Sequence, residues 1–236
     1  MTADATALDR PAWASLAGFH AGLSLGGPLA RRYARDVNLF ASAADDSPAA
    51  LAALATLVGE GERVYLLQVP EIVVPPGLVA VKQAAGVQML ATRAMALADA
   101  SEFEAAHGIV QLAEVDAPDM LALATLTEPG PFLARTRLMG RFIGIRIDGR
   151  LAAMAGERFR MPGYTEVSGV CTHPDFRGRG LARKLSAAVA SRIAARGDLP
   201  FLHAWKTNAA AIGLYESLGF ALRTEVRVAV LERASA

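Results

Sequence analysis

Residues 171–182, Cys-Thr-His-Pro-Asp-Phe-Arg-Gly-Arg-Gly-Leu-Ala, constrain this chain more than any other segment. The stretch before them, 164–172, reads as a strand. After them, Leu181, Leu185, Val189 and Ile193 recur every fourth residue, which marks one face of a helix. A strand therefore runs through a tight two-glycine loop into a helix. Glycine lets backbone approach a ligand closely, and a helix start offers unpaired N–H groups and a partial positive charge. Together these make an anion site, above all for phosphate. Arg177, Arg179, Arg183 and Lys184 add positive charge around it. A plain connecting loop with exposed arginines would carry the same residues, so the loop needs its context.

The second half supplies regular punctuation. Residues 109–112 and 142–147 read as strands, and Asp148-Gly149 is a two-residue hairpin turn leading into a partner over 151–159. Pro162-Gly163 turns the chain again into 164–172. Between the first two strands, Asp116 is placed to cap a helix towards Thr125, with Pro118 in its first turn. Glu128-Pro-Gly-Pro131 interrupts that helix, and a second is expected to follow up to Met139. Residues 200–206 are a strand, Asn208 caps a helix over 209–218 that stops at Gly219, and 225–231 is a final strand. Gly169 fits a strand irregularity or a close backbone approach.

The first half is less regular. Residues 28–40 (PLARRYARDVNLF) suggest an amphipathic helix with a basic side. Asp46-Ser47-Pro48 starts a buried helix that ends before Gly59. A buried strand is expected over 63–69, with further strands over 78–82 and 88–92. Residues 96–107 form a junction, dividing an N-terminal α/β domain (1–105) from a C-terminal domain (106–236).

The chain has 24 basic and 23 acidic residues, a balance that argues against a dedicated nucleic-acid binder. Cys171 is the single cysteine, which rules out an internal disulfide and suits a reducing compartment. Residues 1–10 lack the apolar centre of a signal peptide, and the apolar run 49–58 is too short to span a membrane. A cytoplasmic protein without membrane or nucleic-acid partners is expected; a homo-oligomer is left open.

Arg177-x-x-Gly180-x-Ala182 resembles the R/Q-x-x-G-x-G/A signature of the GNAT acyltransferase superfamily. The preceding Val-Cys-Thr-His-Pro is in register with that family's fourth strand. Asn208-x6-Tyr215-x3-Gly219-Phe220 resembles its final helix and the glycine-aromatic pair beyond. The three pieces span about 55 residues. An extension ahead of such a domain is also weakly similar to the glycine N-acyltransferase-like branch. The resemblance implies an α/β (α+β) fold: a mixed, mostly antiparallel twisted sheet flanked by helices, with the N-terminal extension packed on it. It implies acetyl-CoA as cosubstrate, no metal, and transfer of the acetyl group to an amine by direct attack in a ternary complex.

The resemblance also distributes roles. Val170, Cys171 and Thr172 would present the strand edge to the pantetheine arm. The loop and helix start, Arg177, Gly178, Arg179, Gly180, Leu181, Ala182 and Arg183, would hold the pyrophosphate. Asn208 would contact the cofactor as well as cap its helix. Tyr215 would face the CoA sulfur and, protonated at neutral pH, hydrogen-bond the departing thiolate and donate a proton to it. Glu166 occupies the general-base position of the histone-acetyltransferase branch, and His203 the position where some protein N-terminal acetyltransferases carry a glutamate. Each has an ordinary alternative: a strand-edge charge for Glu166, a core histidine for His203, simple bulk for Tyr215. Cys171 reads as a buried thiol, not a nucleophile. Trp13, Phe142, Tyr164 and Trp205 are either acceptor-pocket walls or core. A catalytically silent acyl-CoA-binding module, with the N-terminal half as partner surface, is the competing reading of the whole chain. The acceptor side is expected to be built from residues 113–145 and the hairpin near Asp148, with the N-terminal half as a further candidate, and no motif there specifies the acceptor amine.

Overall fold

Strands joined by tight turns and helices make up the fold, and the strands of the second half carry continuous buried runs, as a sheet covered on both faces requires. The computed structural model describes residues 5–92 and 100–234. The first elements are a short helix α1 (Pro11–Ala17) and three small strands, β1 (Ser24–Gly26), β2 (Ala30–Tyr33) and β3 (Ala41–Ala43), which pair antiparallel in that order. The helix expected over 28–40 is therefore absent, replaced by β2 and a turn. Tertiary partners override the local pattern. Arg32, one of the residues behind the apparent basic face, is turned inward, where it donates to Glu62 (2.8 Å) and to Leu57 O (2.9 Å). Tyr33 beside it is fully buried against Phe159.

Helix α2 (Pro48–Thr56) forms as expected, with Ser47 as N-cap accepting from Ala50 N at 3.3 Å. Strand β4 (Arg63–Gln68) follows. The two strands expected over 78–82 and 88–92 are one continuous strand, β5 (Leu78–Ala91). Of the junction 96–107, residues 96–99 lie outside the described residues and α3 (Ala100–Ala106) takes most of the remainder.

The second half contributes β6 (Ile109–Gln111), α4 (Ala117–Thr127), β7 (Phe142–Ile147), β8 (Arg150–Met161), β9 (Tyr164–Thr172), α5 (Leu181–Ala195), β10 (Leu199–Trp205), α6 (Ala209–Leu218) and β11 (Phe220–Arg233). Asp148 and Gly149 both have positive φ, the backbone expected of the tight β7–β8 hairpin. Asp116 precedes α4 but bonds Ala113 N (2.8 Å) and Arg146, not the helix. The second helix expected before Met139 is only a single 3-10 turn, Thr136–Met139, after the helix-breaking Pro129-Gly-Pro131.

Among the described residues eight strands share one sheet, in the order β4-β11-β5-β10-β9-β8-β7-β6. All neighbours are antiparallel except β9 and β10. This is the mixed, mostly antiparallel sheet expected from the sequence. Helix α5 covers one face, burying Leu185, Val189 and Ile193 completely or nearly so; each such side chain stabilises the fold by roughly 1.5–3 kcal/mol. The N-terminal segment covers the other face, where Leu8, Ala12, Leu16, Tyr33 and Phe40 pack with Phe159, Phe201 and Val228. Successive residues Phe201 and Leu202 serve opposite cores, as a central strand requires. The N-terminal half also enters the sheet itself, since β5 lies between β10 and β11.

Candidate functional site

The site begins where two parallel strands part. β9 and β10 pair at Leu199↔Tyr164, Pro200↔Thr165 and Phe201↔Glu166, and no further. Beyond that point β9 stays with β8, and β10 stays with β5 as far as Trp205↔Gly86. The wedge opens into a cleft of about 780 Å³. Val170, Cys171 and Thr172 line it from β9, Ala204 and Trp205 from β10, and Asn208, Ala211 and Tyr215 from α6, with Arg177 also on the wall.

A bulge sharpens the divergence. Between the pairs Gly156↔Ser168 and Met154↔Cys171, β9 carries one residue more than β8. Gly169 sits there at φ +61°, and a Cβ on it would meet Phe142 Cε1 at 2.9 Å. Thr172 Oγ1, one of the cleft residues, is buried with no hydrogen-bond partner among the described residues.

The two-glycine loop leads from β9 into α5. Gly180, the N-cap, has φ +72° with open space where a side chain would be. Lys184 N bonds back to Gly180 O at 3.1 Å, which leaves the amides of the first turn unused by the helix. Leu181 is turned into the core, so only its backbone can face a ligand. Arg183 bonds Ser217 Oγ and ties α5 to α6, and Arg179 stacks over Phe176 at 5.4 Å. Arg177, Arg179, Arg183 and Lys184 have no acidic partner among the described residues, unlike most arginines of this chain, so the positive charge here is uncompensated. Gly178, Arg179, Gly180, Leu181, Ala182 and Arg183 adjoin the cleft and do not line it.

Asn208 caps α6 by accepting from Ala211 N at 3.1 Å and lines the cleft as well. Tyr215, two helical turns on, packs edge-on to Phe220, 6.1 Å between ring centres. It is 9% exposed, and its hydroxyl has no partner among the described residues. Burial, and secondarily the charge of Glu166, pushes its pKa up to about 12.

Glu166 and His203 meet at the apex of the wedge. Glu166 is fully buried. Arg158 clasps it with Nε at 2.7 Å and Nη2 at 2.6 Å, and His203 Nδ1 lies 2.7 Å from its Oε1. Burial alone would raise this carboxyl, but Arg158 and His203 outweigh it and hold it at about 2. His203 is lowered, chiefly by its own burial. The amide of Gln88 fixes the tautomer. Its Oε1 accepts from Arg223 Nη1 (2.9 Å), so its NH₂ faces Leu8 O (2.8 Å) and His203 Nε2 (3.0 Å). Nε2 therefore accepts, and Nδ1 carries the proton that Glu166 receives as a hydrogen bond. His203 lines the cleft, whereas Glu166 lies behind it.

Cys171 is buried, and burial pushes its thiol up to about 11, which suits an inert strand residue. Of the four aromatics weighed above, Trp205 lines the cleft, with Lys82 Nζ 5.9 Å from its ring centre. Tyr164 and Phe142 belong to the core, and Trp13 does not reach the cleft. Glu128 and Phe132, from the segment 113–145 expected on the acceptor side, also line the cleft, together with Phe40, Tyr65, Leu67, Arg158 and Val228, which sequence reasoning did not single out. Most come from distant segments and carry no local signature. Among the described residues no His, Cys, Asp and Glu group is placed to hold a metal ion, and no helix is long and apolar enough to cross a membrane.

The family model described as FR47-like protein matches residues 142–228, the part that builds the wedge. A crystal structure from Novosphingobium aromaticivorans, described as an acetyltransferase of the GNAT family, is 43% identical, covers 97% of this chain and 99% of that one, and superposes with a TM-score of 0.88. The chain belongs to the GNAT family. A GCN5-related N-acetyltransferase from Kribbella flavida shares the fold of this GNAT protein across 95% of both chains, at 20% identity and a TM-score of 0.61. The [ribosomal protein bS18]-alanine N-acetyltransferase of Salmonella typhimurium is 36% identical over 83 residues, which is 34% of this GNAT chain and 55% of that enzyme. The chain thus spans about half the length of the curated relative it matches.

Proposed function

We propose that this chain transfers an acetyl group from acetyl-CoA to a primary amine by direct attack in a ternary complex. One observation carries the reading: the parting of β9 and β10 after Glu166↔Phe201 brings Val170, Cys171, Thr172, Arg177, Asn208 and Tyr215 onto one cleft. Family membership and the curated relative support the reaction class.

The residues suit the cosubstrate. The edge of β9 beyond Glu166 is unpaired on the β10 side, which leaves backbone groups for an extended arm. The buried, unpartnered Thr172 Oγ1 has a hydrogen bond to gain. The open loop at Gly180 and the uncompensated cations Arg177, Arg179 and Arg183 suit a pyrophosphate. Acetyl-CoA, when bound, supplies a thioester carbonyl open to attack.

Tyr215 is the group proposed to act on the leaving sulfur. Its free hydroxyl stays protonated across the neutral range, and a thiol titrates near ~8.5. Full proton transfer from a phenol at about 12 to that thiolate is uphill. The hydroxyl therefore stabilises the developing negative charge by a hydrogen bond. Glu166 and His203 are proposed to form the polar floor of the acceptor side. Both are spent on internal hydrogen bonds, so any proton accepted by His203 requires Gln88 to release Nε2. The extension that resembles the glycine N-acyltransferase-like branch supplies β5 to this same sheet and carries no acceptor assignment by itself.

The test is a pair of measurements on the full chain. Acetyl-CoA and desulfo-CoA should both raise the melting temperature, because a ligand that binds only the folded state stabilises it. Thiol release should then depend on added primary amine. A melting shift without turnover on any amine would favour the silent acyl-CoA-binding module.

A further inference from the structure

The cleft has an acceptor half whose walls are apolar: Phe40, Tyr65, Leu67 and Phe132. Its cations are Arg158, already neutralised by the buried Glu166, and Lys82, which lies across Val230 from Tyr65 with its Nζ 5.9 Å from the Trp205 ring centre. Among the described residues that line the cleft, Glu128 is the only one bearing a carboxylate.

Three observations place Glu128 over the reacting stretch of β9. It caps the C-terminus of α4, and Thr127 before it lines the cleft together with Cys171. The residues after it, Pro129 to Phe132, border the same recess as Ser168, Gly169 and Arg158. Its own backbone is left-handed, at φ +48° and ψ +54°. Helices ordinarily place glycine or asparagine in that conformation, yet this one presents an exposed glutamate with no ion-pair partner among the described residues.

We infer that Glu128 receives the acceptor's ammonium group, and that the acceptor class is a cationic amine with an apolar body and no carboxylate beside the amine. This rests on the amine-acetyltransferase reading above. An unpaired carboxylate over the bulged part of β9 attracts an ammonium and repels an α-carboxylate, so it sets which amines dwell near the thioester. Glu128 is a specificity-determining residue in this assignment: it draws the ammonium into the cleft, the amine loses that proton to solvent before its lone pair attacks the thioester carbonyl, and the carbon–sulfur bond breaks to release the CoA thiolate.

Three matched acceptors test it: phenethylamine, L-phenylalaninamide and L-phenylalanine, with acetyl-CoA and thiol release as the readout. The wild-type kcat/KM for the first two should exceed that for L-phenylalanine by roughly tenfold or more, the size expected of one charge contact in a partly screened cleft. Glu128→Gln should raise KM for phenethylamine by about the same factor and narrow the selectivity, while Glu128→Asp should keep most of it. The melting shift given by acetyl-CoA should be the same in all three proteins. Unchanged selectivity in Glu128→Gln, or a wild-type preference for L-phenylalanine, overturns the inference and would move the acceptor contact to Arg158. A normal acetyl-CoA shift with no thiol release on any of the three amines overturns the amine-acceptor reading, and this inference with it. No shift at all overturns the donor.

Discussion

His203 Nδ1 and Glu166 Oε1 stand 2.7 Å apart on neighbouring strands, Glu166 on the last paired rung and His203 two residues past it, where β9 and β10 separate. The contact closes the apex of the wedge. Arg158 completes it from β8, so three strands meet in one buried charged cluster.

That cluster makes stability depend on acid. Glu166 falls from an ordinary 4.5 to about 2 on folding. A depressed carboxyl contributes stability that is complete above the unfolded value and lost as pH drops through the folded one. The window is therefore pH 4.5 down to about 2, worth about 3 kcal/mol in all. His203 is lowered on folding, so its contribution also shrinks as pH falls below the ordinary histidine value near 6.5. Glu166→Gln strands Arg158 and should cost about 3 kcal/mol at neutral pH. Urea melts of wild type and variant across pH 3 to 7 check this. Parallel pH dependences in the two proteins would contradict it.

Tyr215→Phe removes a hydroxyl and keeps the ring against Phe220. With chemistry rate-limiting, kcat should fall roughly 10- to 1000-fold. The acetyl-CoA affinity and the melting temperature should barely move. Wild-type kcat in this variant would leave the hydroxyl with no part in catalysis.

Gly180→Val places a branched side chain at φ +72° in the N-cap of α5. The strain is about 1–2 kcal/mol, small enough to leave a folded protein. The side chain also fills the open space over the first-turn amides. The acetyl-CoA melting shift should disappear. A full shift would remove the loop from the donor site.

Excising residues 106–236 deletes β4 and β5, and β5 separates β10 from β11. The fragment would expose two strand edges and lose Gln88, which orients His203. Limited proteolysis should release no active C-terminal fragment. An active one would show that the β9–β10 wedge holds without its neighbours.

The local signals were legible. Two-glycine loops, the Asp148-Gly149 hairpin, the four-residue spacing from Leu181 and the Asn208 cap each depend on residues within a few positions, so the sequence alone determined the β9–loop–α5 and β10–α6 units. Residues 28–40 misled because their apparent helical face depended on Arg32, and only the distant Glu62 explains a buried arginine there. The insertion of β5 into the sheet could not be read either, since strand order is settled by which edges bury the most apolar surface. Arg158 was hidden by the register shift between Glu157 and Arg160, which no turn residue announces. Tertiary structure alone decided that Glu166 is walled in by Arg158 and that Glu128 lies on the cleft. The physical reason is the same for both: burial and ion pairing are set by segments dozens of residues apart in sequence, and a strand pattern specifies which side a residue faces but not what waits there.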